Sequence, residues 1–160
     1  MLRLIIPIVL LVISAPVIAR DSLGVFGDWG AFRDADIPRC YAIAAAEGGA
    51  GLDFQPFASV GTWPDRNVRG QVHFRLSREL SSNPRVALAV GGERFTLTAG
   101  EGDAWATDVR ADREIVAAIR AASRMSISAT DARGNRFTDR YSLDGAATAI
   151  DAASVGCSGQ

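Results

Sequence analysis

The sequence predicts a mainly β single domain of antiparallel sheets, a β-sandwich or a partly open barrel, with one or two short helices. Three observations predict it. Apolar and polar residues alternate through several short runs. Turns bearing glycine or asparagine separate those runs, and only two stretches carry a helical period.

Taken in order, "GVFGDWGAF" (24–32) and "CYAIAAA" (40–46) read as two strands. The segment from Glu47 to Asn67 holds four glycines and two prolines, and reads as loop with a short strand near Phe57 to Val60. In "QVHFRL" (71–76), Val72, Phe74 and Leu76 share one face and His73 and Arg75 the other. In "RVALAVGGERFTLTA" (85–99), two alternating runs flank Gly91-Gly92, the pattern of a hairpin, because glycine reaches positive φ without penalty. "MSISATDARGNRFTDRYSL" (125–143) repeats that design around a turn at Asp131 to Asn135, with Asp139 interrupting the apolar face. "DREIVAAIRAAS" (112–123) aligns Ile115, Ala118, Ile119 and Ala122 in a helical stripe with Asp112 as N-cap. "GAATAIDAAS" (145–154) reads as a short alanine-rich helix leading to Cys157.

Residues 1–19 read as a secretory signal peptide and residues 20–160 as a single domain. Arg3 precedes an apolar run from Leu4 to Ile13, and Val17 and Ala19 occupy the small-residue positions ahead of a cut. The uncharged stretch from Leu4 to Ala19 is sixteen residues. A spanning helix needs about 20, so no stable membrane span is expected after cleavage. All seventeen basic residues are arginine. Without Arg3, sixteen arginines face eighteen acids, a balance of −2. The arginines interleave with acids, as in "VRADREIVAAIR" (109–120). No basic face is evident, which argues against nucleic acid as a partner. The absence of lysine removes Schiff-base catalysis and the lysine of a phosphate-binding loop.

The inventory for catalysis is thin. His73 is the only histidine and is expected on the polar face of its strand. Serines such as Ser59 and Ser77 lack a nucleophile-elbow pattern. A zinc site has no signature without a second histidine or a closely spaced cysteine pair. The glycine-rich "EGGAG" and "AGEGDAW" lack the strand-before, helix-after context of phosphate loops. No metal and no cofactor are expected. Of three tryptophans, Trp29 and Trp105 lie in apolar segments and are expected in the core. Trp63, in the turn-like "GTWPDR", is the candidate for an exposed contact. Asp139, followed by Arg140, sits on an apolar strand face, where a carboxylate must be paired or solvated. A salt bridge to an arginine is the expected arrangement, and a ligand pocket containing Asp139 and Arg140 is the functional alternative.

The stretches "FGDWGAF", "RCYAIA", "GGERFTL", "DAWATDV" and above all "RGNRFTDRYSLDGAATAID" resemble the invasion-associated locus B family of secreted bacterial proteins. That resemblance implies a β-rich, exported, non-catalytic domain, in a family named for the part its pathogenic members play in host-cell entry. The chain departs from the family pattern at Arg33, where a cysteine often follows the tryptophan.

Export sends both cysteines to an oxidising compartment, where an even count points to a bridge between Cys40 and Cys157. The expected function is binding, in the periplasm or outside the cell, of an envelope or host protein or glycan. An inhibitor of an envelope hydrolase, inserting the loop "QPFASVGTWPDRN" (55–67), is the alternative. An unrecognised hydrolase is the third.

Overall fold

The computed structural model describes residues 20–34, 36–48 and 53–158. The expected signal peptide, with its cut after Ala19, lies outside the described residues.

Ten strands follow one another as β1 (Asp21–Phe26), β2 (Trp29–Asp34), β3 (Arg39–Ala45), β4 (Phe57–Trp63), β5 (Val68–Arg75), β6 (Val86–Val90), β7 (Glu93–Gly100), β8 (Asp103–Trp105), β9 (Arg124–Thr130) and β10 (Arg136–Ser142). Helix α1 (Val109–Ala121) precedes β9, and α2 (Ala146–Gly156) follows β10. The strands form one sheet in the order β1-β2-β3-β4-β5-β8-β7-β6-β9-β10. Strand β7 belongs to two leaves: Leu97 and its predecessors pair with β6, and Thr98 to Gly100 pair with β8. The sheet bends there, so its leaves face each other as in a sandwich without closing into a barrel. Two backbone bonds tie the far ends together, from Glu47 N to the Arg140 carbonyl (2.7 Å) and from Asp28 N to the Asp144 carbonyl (3.1 Å).

The hydrophobic alternation sets which face turns inward. Val72, Phe74 and Leu76 are fully buried, as are Leu88 and Ile127 from the opposing leaf. Helix α1 adds Ile115 and Ile119, and α2 lays Ala146, Ala149, Ile150 and Ala153 across β1 to β3. The disulfide between Cys40, on β3, and Cys157, just past α2, is present, with Cα atoms 5.8 Å apart.

Five local expectations are corrected. "GVFGDWGAF" is a hairpin, β1 and β2 joined at Gly27 and Asp28, and not one strand. Gly27 turns the chain at φ +53°, which a side chain would disfavour. The segment expected as loop with a short strand contains all of β4, paired on both sides. The chain from Phe57 to Trp63 is therefore a strand inside the sheet and not a protruding loop; a single 3-10 turn, Pro64–Arg66, follows it. The N-cap of α1 is Asp108, which accepts from the backbone N–H groups of Arg110 and Ala111 at 2.8 Å each. Asp112 lies one turn further in, buried on the stripe of Ile115 and Ile119, and accepts from Val72 N at 2.8 Å. Trp105 is not core. Alternation along β8 buries Ala104 and leaves Trp105 36% exposed. Asp139 is buried without an arginine; its Oδ2 accepts from the backbone N–H of Ser77 at 2.9 Å. One charge-assisted backbone bond does the work that was expected of an ion pair.

Candidate binding site

The outward positions of β3, β4, β5 and β8 form an aromatic groove of about 340 Å3. Each strand contributes every second residue: Arg39, Tyr41 and Ile43 from β3; Phe57, Ser59, Gly61 and Trp63 from β4; Gln71 and His73 from β5; Trp105 from β8. The register explains their meeting. Tyr41 stands opposite Gly61, Gly61 opposite Gln71, Ser59 opposite His73, and His73 opposite Trp105.

Trp63 does not stand away from the sheet. A Cβ built on Gly61 would lie 2.6 Å from the outer carbons of the Trp63 ring, so the outer end of the indole rests over the glycine two residues before it. The bare backbone at Gly61 provides the seat, an aromatic covering a strand glycine. The Arg39 guanidinium lies 4.5 Å from the Tyr41 ring centroid and 5.9 Å from that of Trp63. Asp34 fixes it from the side, with Arg39 Nη2 2.6 Å and Arg20 Nε 3.7 Å from its carboxylate. At the other end the imidazole of His73 stacks on Trp105, with centroids 5.3 Å apart and planes 15° from parallel. Phe57 meets the same imidazole edge-on at 5.4 Å. His73 Nε2 is 2.9 Å from Asp103 Oδ1, and Arg75 holds the other oxygen of that carboxylate. Such a surface offers flat aromatic faces at two places, with amide, hydroxyl and guanidinium groups between them.

The residues singled out from sequence separate into three places. Trp63 lies in the groove. Asp139 and Arg140 point to opposite sides of β10, Asp139 inward to Ser77 N and Arg140 outward to solvent, so they do not share a pocket. Cys40 and Cys157 are joined beneath β3. Near Asp139, the Tyr141 hydroxyl is buried and has no hydrogen-bond partner among the described residues. Burial, and secondarily the Asp139 carboxylate, push its pKa up, so the hydroxyl stays protonated. Ser59 and His73 are cross-strand neighbours, yet Ser59 Oγ donates to the His73 carbonyl at 3.4 Å and not to the imidazole. Ser77 is buried on the inner side.

Sequence reasoning missed Arg39, Tyr41, Gly61, Gln71 and Trp105 as groove residues. A period-2 signal was present in "RCYAI" and "SVGTW", but it identifies the outward set only once β4 is recognised as a strand.

No helix among the described residues is long and apolar enough to cross a membrane. No curated protein and no solved structure matches the chain significantly. The model of one family, Invasion associated locus B (IalB) protein, matches residues 57–154, which is 98 of the 160 residues and runs from the first residue of β4 into α2. The chain belongs to the invasion associated locus B family.

Proposed function

We propose that this chain is an exported, non-catalytic binding domain that holds the flat, apolar face of a sugar ring in its aromatic groove. The observation that carries the reading is the pairing of Trp63, seated over Gly61, with Trp105, stacked on His73, on one outward face. Tryptophan is a large apolar surface whose natural place is the interior. Here two of three are turned outward beside hydrogen-bonding groups, the composition that a ligand with one apolar and one polar side requires. Export is supported by the disulfide, which persists in oxidising compartments, and by the signal-like first nineteen residues. A periplasmic or released protein fits equally. The non-catalytic reading rests on the geometry of Ser59, which turns away from the only imidazole. The inhibitor reading loses its support, because Trp63 belongs to a paired strand and not to an inserting loop.

The test is titration of the intact, oxidised protein with soluble neutral oligosaccharides, followed by tryptophan fluorescence and calorimetry. Trp63→Ala and Trp105→Ala are each expected to weaken binding by roughly tenfold, the order of one aromatic stacking contact. Both positions are on the outer face, so thermal stability should hardly move. Unchanged affinity in both variants would overturn the groove as the site, and turnover of any oligosaccharide would overturn the non-catalytic reading.

A further inference from the structure

The opposing leaf carries a second outward face, and its chemistry is different. Alternation on β7, β6, β9 and β10 sends Leu88, Val90, Met125, Ile127 and Phe137 inward. The arginines go the other way: Arg94 on β7, Arg124 on β9, Arg136 and Arg140 on β10, with Arg85 just ahead of β6. Among the described residues, Arg85, Arg94, Arg136 and Arg140 have no ion-pair partner, while Glu47 approaches Arg124 from the margin at 3.8 Å. Elsewhere most arginines are paired, Arg66, Arg69 and Arg113 excepted. Arg20, Arg33, Arg39, Arg75, Arg78, Arg110, Arg120 and Arg133 all face a carboxylate within 4.0 Å. Among the described residues, four of the seven arginines without an ion-pair partner therefore share one sheet face, in a chain of net charge −1. The sequence reading found no basic face because acids lie between the arginines along the chain; the pleat separates them.

Between the arginines the surface is hydroxylic. The register sets Thr138 opposite Ser128 and Arg140 opposite Ser126, and the Ser128 and Thr138 hydroxyls are 2.9 Å apart. Arg136 and Arg140 flank Thr138 on the same strand, about 13 Å apart at the usual strand rise. Two depressions follow this face, about 540 Å3 beside Arg85, Arg94 and Arg136, and about 280 Å3 beside Glu47, Arg124 and Arg140.

We propose that this face binds an acidic polysaccharide, with the guanidinium groups taking carboxylate or sulfate groups and the serine and threonine hydroxyls taking sugar oxygens. Repeated guanidinium groups along one strand direction suit a linear polyanion, since each forms charge-assisted bonds to such groups. Among the described residues, no aromatic ring lies outward between these arginines, so nucleobases have nothing to stack on. Its outward apolar side chains are only Ala87 and Ala89, too small to enter a lipid acyl layer. The proposal stands apart from the aromatic groove and does not depend on it.

The experiment uses the oxidised Trp63→Ala variant, which removes the contribution of the aromatic groove, on immobilised heparin, which carries sulfate, and on polygalacturonate, which carries carboxylate alone, with neutral dextran as control. Retention on at least one acidic polymer, eluted by salt, is expected. Arg94→Gln, Arg136→Gln and Arg140→Gln combined should weaken binding by roughly tenfold, the summed order of three exposed ionic contacts. Replacement of the same three by lysine keeps the charge and should keep retention. Combined Arg66→Gln, Arg69→Gln and Arg113→Gln, at exposed sites away from this face, makes the same change in net charge and should leave affinity unaltered. Because Trp63→Ala is the background throughout, failure here is distinct from failure of the groove. The proposal is overturned by elution with the dextran control, by equal loss in the two glutamine triples, or by tighter binding to single-stranded DNA or to phosphatidylglycerol vesicles.

Discussion

Replacing both cysteines by alanine should cost this domain a large share of its stability, and the structure indicates where the loss begins. The bridge spans 117 residues of sequence, so the unfolded chain that it constrains is nearly the whole domain. In the chain-entropy description a loop of that length contributes about 5 kcal/mol, and native-state strain lowers the figure. Helix α2 depends on it most. The buried residues of α2 are three alanines and one isoleucine, worth only about 4–5 kcal/mol of apolar burial. Ordering eleven residues of backbone costs more than that before helix hydrogen bonds are counted. The bridge holds the C-terminal end of α2 against β3, where its small side chains can pack. Equilibrium urea unfolding of the oxidised wild type and of Cys40→Ala/Cys157→Ala should show a loss of about 3–5 kcal/mol, or a midpoint lower by roughly 2 M. Hydrogen exchange should show α2 losing protection before the central strands do. A midpoint shift below about 0.5 M with unchanged slope, or uniform loss of protection, would refute the reasoning.

Asp139→Ala leaves the buried Ser77 N–H without its acceptor and should cost about 1–3 kcal/mol in thermal unfolding. Asp139→Asn keeps an oxygen there and should cost clearly less; equal losses would show that this bond is not what holds Asp139. Asp112 behaves differently, because burial raises its pKa above the ordinary 3.8 despite the bond from Val72 N. An acid with a raised folded-state pKa loses protons first in the unfolded chain, so its contribution to stability falls as pH climbs from about 3.8 through the folded value and is constant beyond. Asp112→Asn, which still accepts from Val72 N, should therefore be at least as stable as wild type at pH 7 and flatten the pH profile on the alkaline side of 3.8. A destabilised variant at pH 7 would contradict this. Gly61→Ala places a methyl where the Trp63 ring lies. The ring is the outer end of a surface side chain and can swing aside, so unfolding should hardly change while Trp63 fluorescence shifts and oligosaccharide affinity falls. Unaltered fluorescence would mean that the ring does not rest on Gly61.

The fold was legible wherever period-2 alternation met an unambiguous turn. Strands β5, β6, β7, β9 and β10 lie where "QVHFRL", the Gly91-Gly92 hairpin and the Asp131–Asn135 turn placed them. Burial of one face sets the register strictly there, because a shift by one residue would expose the whole apolar set. The failures are physical in origin. "FGDWGAF" hides a two-residue turn between two aromatics that both read as strand. Strand β4 is rich in small residues, Ala58, Ser59 and Gly61, whose weak pattern cannot be told from loop. Asp108 and Asp112 both fit a helix start, and only tertiary packing decides that Asp112 faces Val72.

The candidate sites were less legible than the fold for the same reason that the fold was legible. Burial constrains the inward residues and leaves the outward ones unconstrained, so the information about ligands sits in positions that carry no hydrophobic signal. Trp63 stood out as an isolated tryptophan, but its partners Trp105 and His73 come from β8 and β5, and only the register joins them. The arginines show this more sharply. In "RGNRFTDRYSL" an acid stands immediately before Arg140, and in linear sequence the two neutralise each other. On a pleated strand they point to opposite sides, Asp139 to a buried amide and Arg140 to solvent. Charge that cancels along the chain is thereby separated across the sheet. That separation, rather than net charge, decides whether a face attracts an anionic ligand within a Debye length of its surface.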